Sequence, residues 1–186
     1  MSPFVAIDFE TADSGRDSAC SVACVRVEDG RVVRTEHRLI RPPRERFQFT
    51  HVHGIRWEDV ASSPTFGDVW RDVAPILDGA EFIAAHHAPF DRSVLAACCE
   101  AAGLVPPELP FRCTVRIARA AWRLFPTRLP DVCRFLGIPL RHHDALSDAE
   151  ACARIVVAAE AVQTGAGPVA GVGHVARVPS GRRAVG

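Results

Sequence analysis

Two carboxylates stand two residues apart near the amino terminus, in the segment Asp8-Phe9-Glu10. The residues before them, from Phe4 to Ile7, are apolar and predict a buried strand, on which alternate side chains project from the same face. Two carboxylates at the end of such a strand are costly to bury unless hydrogen bonds or a cation compensate their charge. The pair therefore predicts either a strand that has already reached solvent at Asp8 or a cation-binding site.

Two further carboxylates each begin a predicted helix, and each follows a histidine by five residues. Asp91 follows His86, just after a short apolar strand at 81–85, and Asp148 follows His143 at the start of the last long helix. Taken singly, an acidic residue in the first turn of a helix is explained by the helix dipole. A loop histidine is commonly just solvated, but beside a metal-site carboxylate it can accept a proton near neutral pH.

Together, the four carboxylates predict one site for divalent cations. Functional groups in open α/β sheets collect at the carboxyl ends of strands. Four carboxylates that converge there would repel one another unless hard cations neutralised them. The composition fits two magnesium or manganese ions, roughly 3.5–4 Å apart, as in sites that cleave phosphodiesters. Zinc is not favoured, because no set of histidine and cysteine ligands has a suitable spacing.

The elements that must position these residues alternate between strands and helices. The predicted strands span residues 4–10, 21–27, 32–40, 81–85 and 111–114. The predicted helices span residues 66–77, 90–102, 115–124, 129–136 and 147–163. Asp29-Gly30 predicts a hairpin turn, and a Pro- and Arg-rich loop at 41–49 follows the third strand. This order predicts a mixed α/β sheet with helices packed on it.

Composition predicts one globular domain in residues 1–163 and a flexible Gly-, Ala- and Arg-containing tail in 164–186. The chain has 186 residues, of which 48% are hydrophobic. It has 22 arginines, no lysine and 22 acidic residues, and this neutral total excludes a protein that coats nucleic acid by bulk charge. Seven cysteines, an odd number, predict reduced thiols that act as small hydrophobes. We expect a cytoplasmic location, because neither a secretory signal nor a membrane span is readable.

The order and spacing of the motifs resemble the DEDDh family of 3′-5′ exonucleases, which includes the epsilon-like proofreading subunits of bacterial DNA polymerase III, ribonuclease T and exonuclease X. The resemblance covers residues 4–160 and is carried by Asp8-Phe9-Glu10-Thr11, His86-(x)4-Asp91 and His143-(x)4-Asp148. The segment His53-Gly54-Ile55 also matches a family segment that lies beside the terminal nucleotide. The branch of the family that has tyrosine in the third motif is excluded, because the chain contains no tyrosine.

The resemblance implies a fold and a chemistry. The fold would be a ribonuclease-H-like mixed sheet of about five strands flanked by helices. Asp8, Glu10, Asp91 and Asp148 would hold two Mg²⁺ or Mn²⁺ ions, and His143 would accept the proton of the attacking water. The enzyme would hydrolyse single-stranded 3′ ends of nucleic acid, with DNA favoured over RNA, and release nucleoside 5′-monophosphates.

The resemblance also implies contacts with the substrate. Thr11, His53 and Ile55 would lie against the terminal nucleotide, and His87, which stands where many members have asparagine, would steady the site. Phe47, Phe49 and Trp57 are candidates for core packing or for stacking on bases. Arg41, Arg44 and Arg46 form a local basic patch that is suited to backbone phosphates.

Two other functions remain open on the sequence alone. One is a ribonuclease-H-like endonuclease that cuts internally and needs no free 3′ end. The other is a catalytically inactive subunit that keeps the fold as part of a polymerase or repair complex. A polymerase or repair complex is also the candidate partner of an active enzyme.

Overall fold

The computed structural model describes residues 1–165, and the predicted tail lies almost wholly outside this range. Five strands carry the described part of the fold: β1 (Phe4–Thr11), β2 (Ala19–Glu28), β3 (Arg31–Leu39), β4 (Phe82–Ala85) and β5 (Phe111–Cys113). The helices are α1 (Thr50–His53), α2 (Trp57–Val60), α3 (Phe66–Val73), α4 (Pro89–Ala101), α5 (Thr114–Trp122), α6 (Leu129–Leu136) and α7 (Ala145–Gln163), with a 3₁₀ turn at Ala74–Leu77. In this range no helix is long and apolar enough to span a bilayer.

The five strands form one mixed sheet in the order β3-β2-β1-β4-β5, which confirms the predicted architecture. The hairpin strands β2 and β3 pair antiparallel, as do β1 and β2, whereas β4 runs parallel to both β1 and β5. Because β1, β4 and β5 run in the same direction, their carboxyl ends meet at one edge of the sheet. Chemistry-bearing side chains that follow these strands are therefore brought together at that edge.

The two faces of β1 are buried against different helices. Val5, Ile7 and Phe9 pack in a cluster with residues of α3 and α4 on one face, whereas Phe4 and Ala6 pack with residues of α5, α6 and α7 on the other. Side chains alternate along a strand, so Asp8 and Glu10 continue the face of Phe4 and Ala6. The strand thus directs both carboxylates toward the side of the sheet that α7 covers.

Helix α7 approaches the sheet closely because its buried face is made mostly of small residues. Ala149, Ala153 and Cys152 are buried there against β1 and β2. The helix begins at Ala145, two residues before the predicted start, because the Asp144 side chain caps it by accepting a 2.9 Å hydrogen bond from the Ser147 N–H. This early start places Asp148 in the first turn, where it is buried against the sheet edge.

Between β3 and β4 the structure also departs from the predicted elements. The helix predicted at 66–77 ends as an α-helix at Val73 and continues only as a 3₁₀ turn, because Pro75 lacks the N–H that the next helical turn needs. Helices α1 and α2, of four residues each, lie in a region for which no regular structure was predicted. Six of the seven cysteines are buried and all seven are free thiols, in agreement with their predicted role as small hydrophobes.

Candidate active site

Three of the predicted carboxylates meet at the carboxyl end of β1. Asp8, Glu10 and Asp148 each present an oxygen within 4.8 Å of the others. All three line a cavity of about 290 Å³, which is bounded on one side by Phe49 and His53 and on the other by loop residues before α7. Convergent carboxylate oxygens at this spacing are the ligand set that Mg²⁺ and Mn²⁺ prefer.

Asp91 joins the cluster from the opposite face of β1. It lies in the first turn of α4 and is 1% exposed. Its Oδ1 accepts a 3.2 Å hydrogen bond from the backbone N–H of Phe9, the residue between Asp8 and Glu10. Its negative charge is also the largest contributor, after burial, to the raised pKa of Asp8. The four predicted carboxylates are therefore close enough at the end of β1 for their negative charges to repel one another.

Burial and mutual repulsion make this cluster unfavourable for negative charge. Burial, followed by the charges of Asp148 and Asp91, raises the pKa of Glu10 to about 8. Burial also raises the pKa of Asp91 to about 8 and that of Asp8 well above its usual range. A divalent cation bound among these groups would reverse both effects, because it stabilises the ionised form of every carboxylate around it.

The hydrogen bonds of Asp148 leave one oxygen available. Its Oδ2 accepts a hydrogen bond from the His143 backbone N–H at 3.1 Å and lies 2.9 Å from Nδ1 of His142. Its Oδ1 is buried and has no hydrogen-bond partner within residues 1–165. A buried carboxylate oxygen without a partner is costly. This orphaned oxygen, together with the oxygens of Asp8 and Glu10, fits the site to a metal ion.

His143 stands at the mouth of the cavity on the loop before α7. Its backbone has a positive φ of 68°, and its ring stacks on that of His142 with centroids 3.8 Å apart. Burial and then the neighbouring His142 lower the pKa of His143. The imidazole is therefore neutral near pH 7, which is the form that can accept a proton.

His142 is a site residue that the sequence pattern did not single out. Its contact with Asp148 depends on the turn at His143, and two adjacent histidines give no spacing signal. The nitrogen and oxygen ligand atoms of His142, His143 and Asp148 all lie within 4.8 Å of one another. The stacked pair and one carboxylate therefore offer a second set of ligand atoms at metal-binding spacing, beside the set of Asp8, Glu10 and Asp148.

His53 holds the segment His53-Gly54-Ile55 against the end of β1. Its Nδ1 lies 3.1 Å from the backbone N–H of Ile55 and accepts that hydrogen. Its other nitrogen, Nε2, must then carry the ring proton, and it donates to the carbonyl oxygen of Thr11 at 3.2 Å. Burial lowers the pKa of His53, which keeps the ring neutral and preserves both bonds. Thr11 and His53 both line the cavity.

Two of the residues predicted to contact substrate lie outside the cavity wall. Ile55 is half-buried, and Val52 of α1 takes the apolar place in the wall that was predicted for Ile55. His87 is exposed, with a positive φ of 61°, and lines the neighbouring depressions instead. In the second motif, His86 lines the cavity instead. Its Nδ1 lies 2.8 Å from the Thr114 hydroxyl, and burial lowers its pKa to about 4.

The predicted basic patch at 41–46 does not form a uniform phosphate-binding surface. Arg44 is bound to two carboxylates, with its Nε 3.0 Å from Asp13 and its Nη2 2.6 Å from Asp17. The guanidinium is therefore neutralised, and it fastens the loop to the segment that follows β1. Because Arg44 is 31 and 27 residues from its two partners in the sequence, no local sequence pattern predicts these ion pairs.

The strand order and the flanking helices have the ribonuclease-H-like fold, and comparison with known proteins identifies the family. The model of the exonuclease family matches residues 5–156. The chain is 33% identical over 162 residues to exodeoxyribonuclease 10 of Escherichia coli K12, covering 81% of this chain and 66% of that protein. It is 30% identical over 156 residues to the PolC-type DNA polymerase III of Thermotoga petrophila, covering 82% of this chain but only 11% of the polymerase.

A solved structure, exonuclease X in complex with 5′ overhanging duplex DNA, superposes with a TM-score of 0.67 at 26% identity and covers 91% of this chain and 96% of that one. The chain belongs to the exonuclease family, as its motifs predicted. Members of this family generally use divalent metal ions.

Proposed function

We propose that the protein is a 3′-5′ exonuclease that removes nucleoside 5′-monophosphates from single-stranded 3′ ends. The observation that carries the proposal is the cluster of Asp8, Glu10 and Asp148, in which one buried oxygen of Asp148 has no hydrogen-bond partner among residues 1–165. A structural cluster of this kind would be expected to satisfy its own oxygens. Here the available oxygen and the raised pKa values favour a cation at the site.

We propose that Asp8, Glu10, Asp148 and Asp91 hold two Mg²⁺ or Mn²⁺ ions. When bound, the ions would supply positive charge for activating a water and for stabilising the departing 3′ oxygen. The carboxylates are already positioned by β1, α4 and α7, so little rearrangement is needed to bind them. The double use of Asp148 Oδ2 by His142 and His143 fixes the orientation of this carboxylate.

His143 is proposed as the general base. It is neutral near pH 7, it lies at the cavity, and its backbone N–H is fixed to Asp148. Its exposure to solvent on the loop gives the accepted proton a way out. General bases of this kind typically contribute about 10²–10⁴-fold to the rate.

The small volume of the cavity favours the end of a nucleic-acid strand over the middle of a strand. About 290 Å³ is at the small end for a ligand site, and such a volume suits one terminal nucleotide. Thr11 and His53 are proposed to contact that nucleotide on one wall, beside Phe49 and Val52. The roles predicted for Ile55 and His87 would then be indirect, through the position of the loops on which they stand.

DNA is the proposed substrate, because the similar proteins are named as an exodeoxyribonuclease and a DNA polymerase. The PolC-type polymerase carries its matching segment within a longer protein, so a polymerase or repair complex is the proposed partner of this chain. The proposed location is the cytoplasm, where seven free cysteines stay reduced.

A comparison of linear and circular single-stranded DNA tests the proposed function. We expect the protein, with Mg²⁺ or Mn²⁺, to shorten a 5′-labelled linear strand one nucleotide at a time from its 3′ end and to leave a circular strand intact. Glu10→Gln serves as the control for contaminating nucleases, because it keeps the side-chain shape but removes the charge. Cleavage of the circle would show an endonuclease, and failure to cleave either strand would show an inactive subunit.

A further inference from the structure

A second surface, here called the basic groove, adjoins the acidic cavity. It consists of two depressions of about 840 and 610 Å³ that share His87 and Arg119. The larger one also shares His86 and His142 with the cavity that holds the carboxylates. The groove therefore forms one continuous path from the active site across α5, the start of α6 and the start of α4.

The groove concentrates positive charge in a chain whose formal net charge is zero. Counted over residues 1–165, its lining contains five arginines and a single acidic residue, Asp131. The five arginines, all exposed, are Arg92, Arg116, Arg119, Arg128 and Arg134. Such a one-sided distribution favours an anionic ligand.

The ion pairs in the groove leave most of this charge unbalanced. Asp131 pairs with both Arg128, at 3.1 Å, and Arg134, at 3.5 Å, so these three residues keep one positive charge. Within residues 1–165, no ion pair involves Arg92, Arg116 or Arg119. Unpaired guanidinium groups are well suited to phosphate oxygens, which they bind through two parallel hydrogen bonds.

An exposed aromatic ring stands at the edge of the groove. Phe125 lines the larger depression and is 84% exposed. The loop that carries it is fastened by Thr127, which is buried and whose hydroxyl accepts a 3.1 Å hydrogen bond from Nε of Arg119. An exposed ring on an anchored loop, beside several arginines, is the combination by which proteins hold single-stranded nucleic acid.

We propose that the basic groove binds the substrate strand on the 5′ side of its terminal nucleotide, with arginines on the phosphates and Phe125 stacked on a base. This inference rests on the proposed function, because it takes the 3′ end to lie in the acidic cavity. The cavity has room for about one terminal nucleotide, so affinity for the rest of the strand must come from positive charge outside it. The basic groove is the adjoining surface that supplies such charge.

The double variant Arg92→Gln/Arg116→Gln tests the groove without disturbing its internal hydrogen bonds. For a single strand of about 12 nucleotides, we expect KM to rise about tenfold, with kcat little changed. The slope of log affinity against log salt should become shallower by about 1.4, because each phosphate of a single strand that an arginine neutralises contributes about 0.7. The matched control is Arg31→Gln/Arg154→Gln, which removes two exposed arginines outside the groove and should leave both quantities unchanged.

Phe125→Ala tests stacking separately from charge. We expect it to raise KM for the same strand about fivefold or more and to leave the salt slope unchanged, since no charge is removed. The p-nitrophenyl ester of thymidine 5′-monophosphate is too short to reach the groove. All groove variants should therefore hydrolyse this ester at the wild-type rate.

Each other result would overturn the inference. Wild-type KM for the strand in the double variant would show that the groove does not bind it. An equal loss on the strand and on the ester would show damage to the active site instead. A loss confined to duplex substrates would assign the groove to the complementary strand. If the proposed function itself fails, the wild-type protein will either hydrolyse neither substrate or also cut a circular single strand, and both results are distinct from those above.

Discussion

Asp148 connects the acidic cluster to the two histidines that precede α7. One of its oxygens contacts His142 and the backbone of His143, and the other is buried with no hydrogen-bond partner in the part of the chain that the structure describes. A single side chain thereby links the residues that would hold metal to the residue that would accept a proton. The roles of His142 and His143 are different in this arrangement, since His142 orients the carboxylate and the ring of His143 is available to the substrate.

Replacing His143 with alanine tests its role as general base. We expect turnover to fall by about 10²–10⁴-fold, because the proton acceptor is removed while the backbone N–H that supports Asp148 is retained. Stabilisation of the fold by Mn²⁺, measured as the shift in Tm, should remain. His37→Ala, which replaces an exposed histidine of β3 outside the cavity, is the matched control and should keep full activity. Full activity in the His143 variant would remove it from the mechanism.

At the scale of elements, β1 positions the site and the loop after β3 supports it. Alternation along β1 directs Asp8 and Glu10 toward α7, while the segment after the strand is fastened by Arg44. That guanidinium donates to the carboxylates of Asp13 and Asp17 and holds the pKa of each below its usual value. These ion pairs of Arg44 with Asp13 and Asp17, here called the Arg44 clamp, join the Pro- and Arg-rich loop to the segment that follows β1.

Arg44→Met tests this clamp. Because the folded-state pKa values of Asp13 and Asp17 are lowered, their contribution to stability is present above their unfolded pKa and is lost as pH falls through the folded pKa. We expect the variant to lose about 1 kcal/mol of unfolding free energy at pH 7, a small value because solvent screens a half-exposed arginine. The deficit should shrink below about pH 4, where the carboxylates become protonated.

Urea unfolding at pH 7 and at pH 3 measures the clamp, and Arg46→Met is the control. Arg46 is an exposed arginine of the same loop, and its replacement should leave the free energy of unfolding unchanged at both pH values. Equal stability of the Arg44 variant and the wild type at pH 7 would show that the observed ion pairs do not hold the loop.

The sequence was sufficient for the features that depend on local pattern. Strand alternation placed Asp8 and Glu10 on one face, and helix periodicity placed Asp91 and Asp148 in first turns, so the fold and the acidic cluster were predictable. Contacts set by tertiary packing were not. The ion pairs of Arg44 join residues that are far apart in the sequence. Val52 lines the cavity in place of Ile55 because of the four-residue helix α1, and this helix is too short to give a periodic signal.

At the scale of the whole molecule, a net charge of zero conceals a separation of charge. Buried carboxylates gather at the end of β1, and exposed arginines line the groove beside them. The carboxylates favour bound cations and the arginines favour bound anions. Metal ions would therefore neutralise the first group, and the phosphates of a nucleic acid would neutralise the second. We therefore expect the stability of the protein to depend on pH and on metal.

The thermal stability of the metal-free protein should fall as pH rises. Glu10 has a folded-state pKa of about 8, well above its unfolded value, and that of Asp8 is also raised. A raised folded-state pKa contributes stability that is fully present below the unfolded pKa and is lost as pH rises through the folded pKa. In EDTA, we therefore expect Tm to decrease between about pH 5 and pH 8.5.

Added Mg²⁺ should remove most of this decrease, because it stabilises the ionised carboxylates and binds only the folded state. Glu10→Gln, which cannot ionise, should show a smaller decrease in EDTA than the wild type. Thermal denaturation over this pH range measures both effects. Identical pH dependence of Tm in EDTA and in Mg²⁺ would show that the cluster does not bind the ion.

The most direct measurement is the anomalous scattering of manganese in crystals grown with Mn²⁺ and a nucleoside 5′-monophosphate. We expect manganese bonded to oxygens of Asp8, Glu10 and Asp148, with the phosphate of the nucleotide beside it and His143 at the cavity mouth. Manganese found only elsewhere on the protein, or a nucleotide bound outside this cavity, would contradict the assignment of the acidic cluster as the catalytic centre.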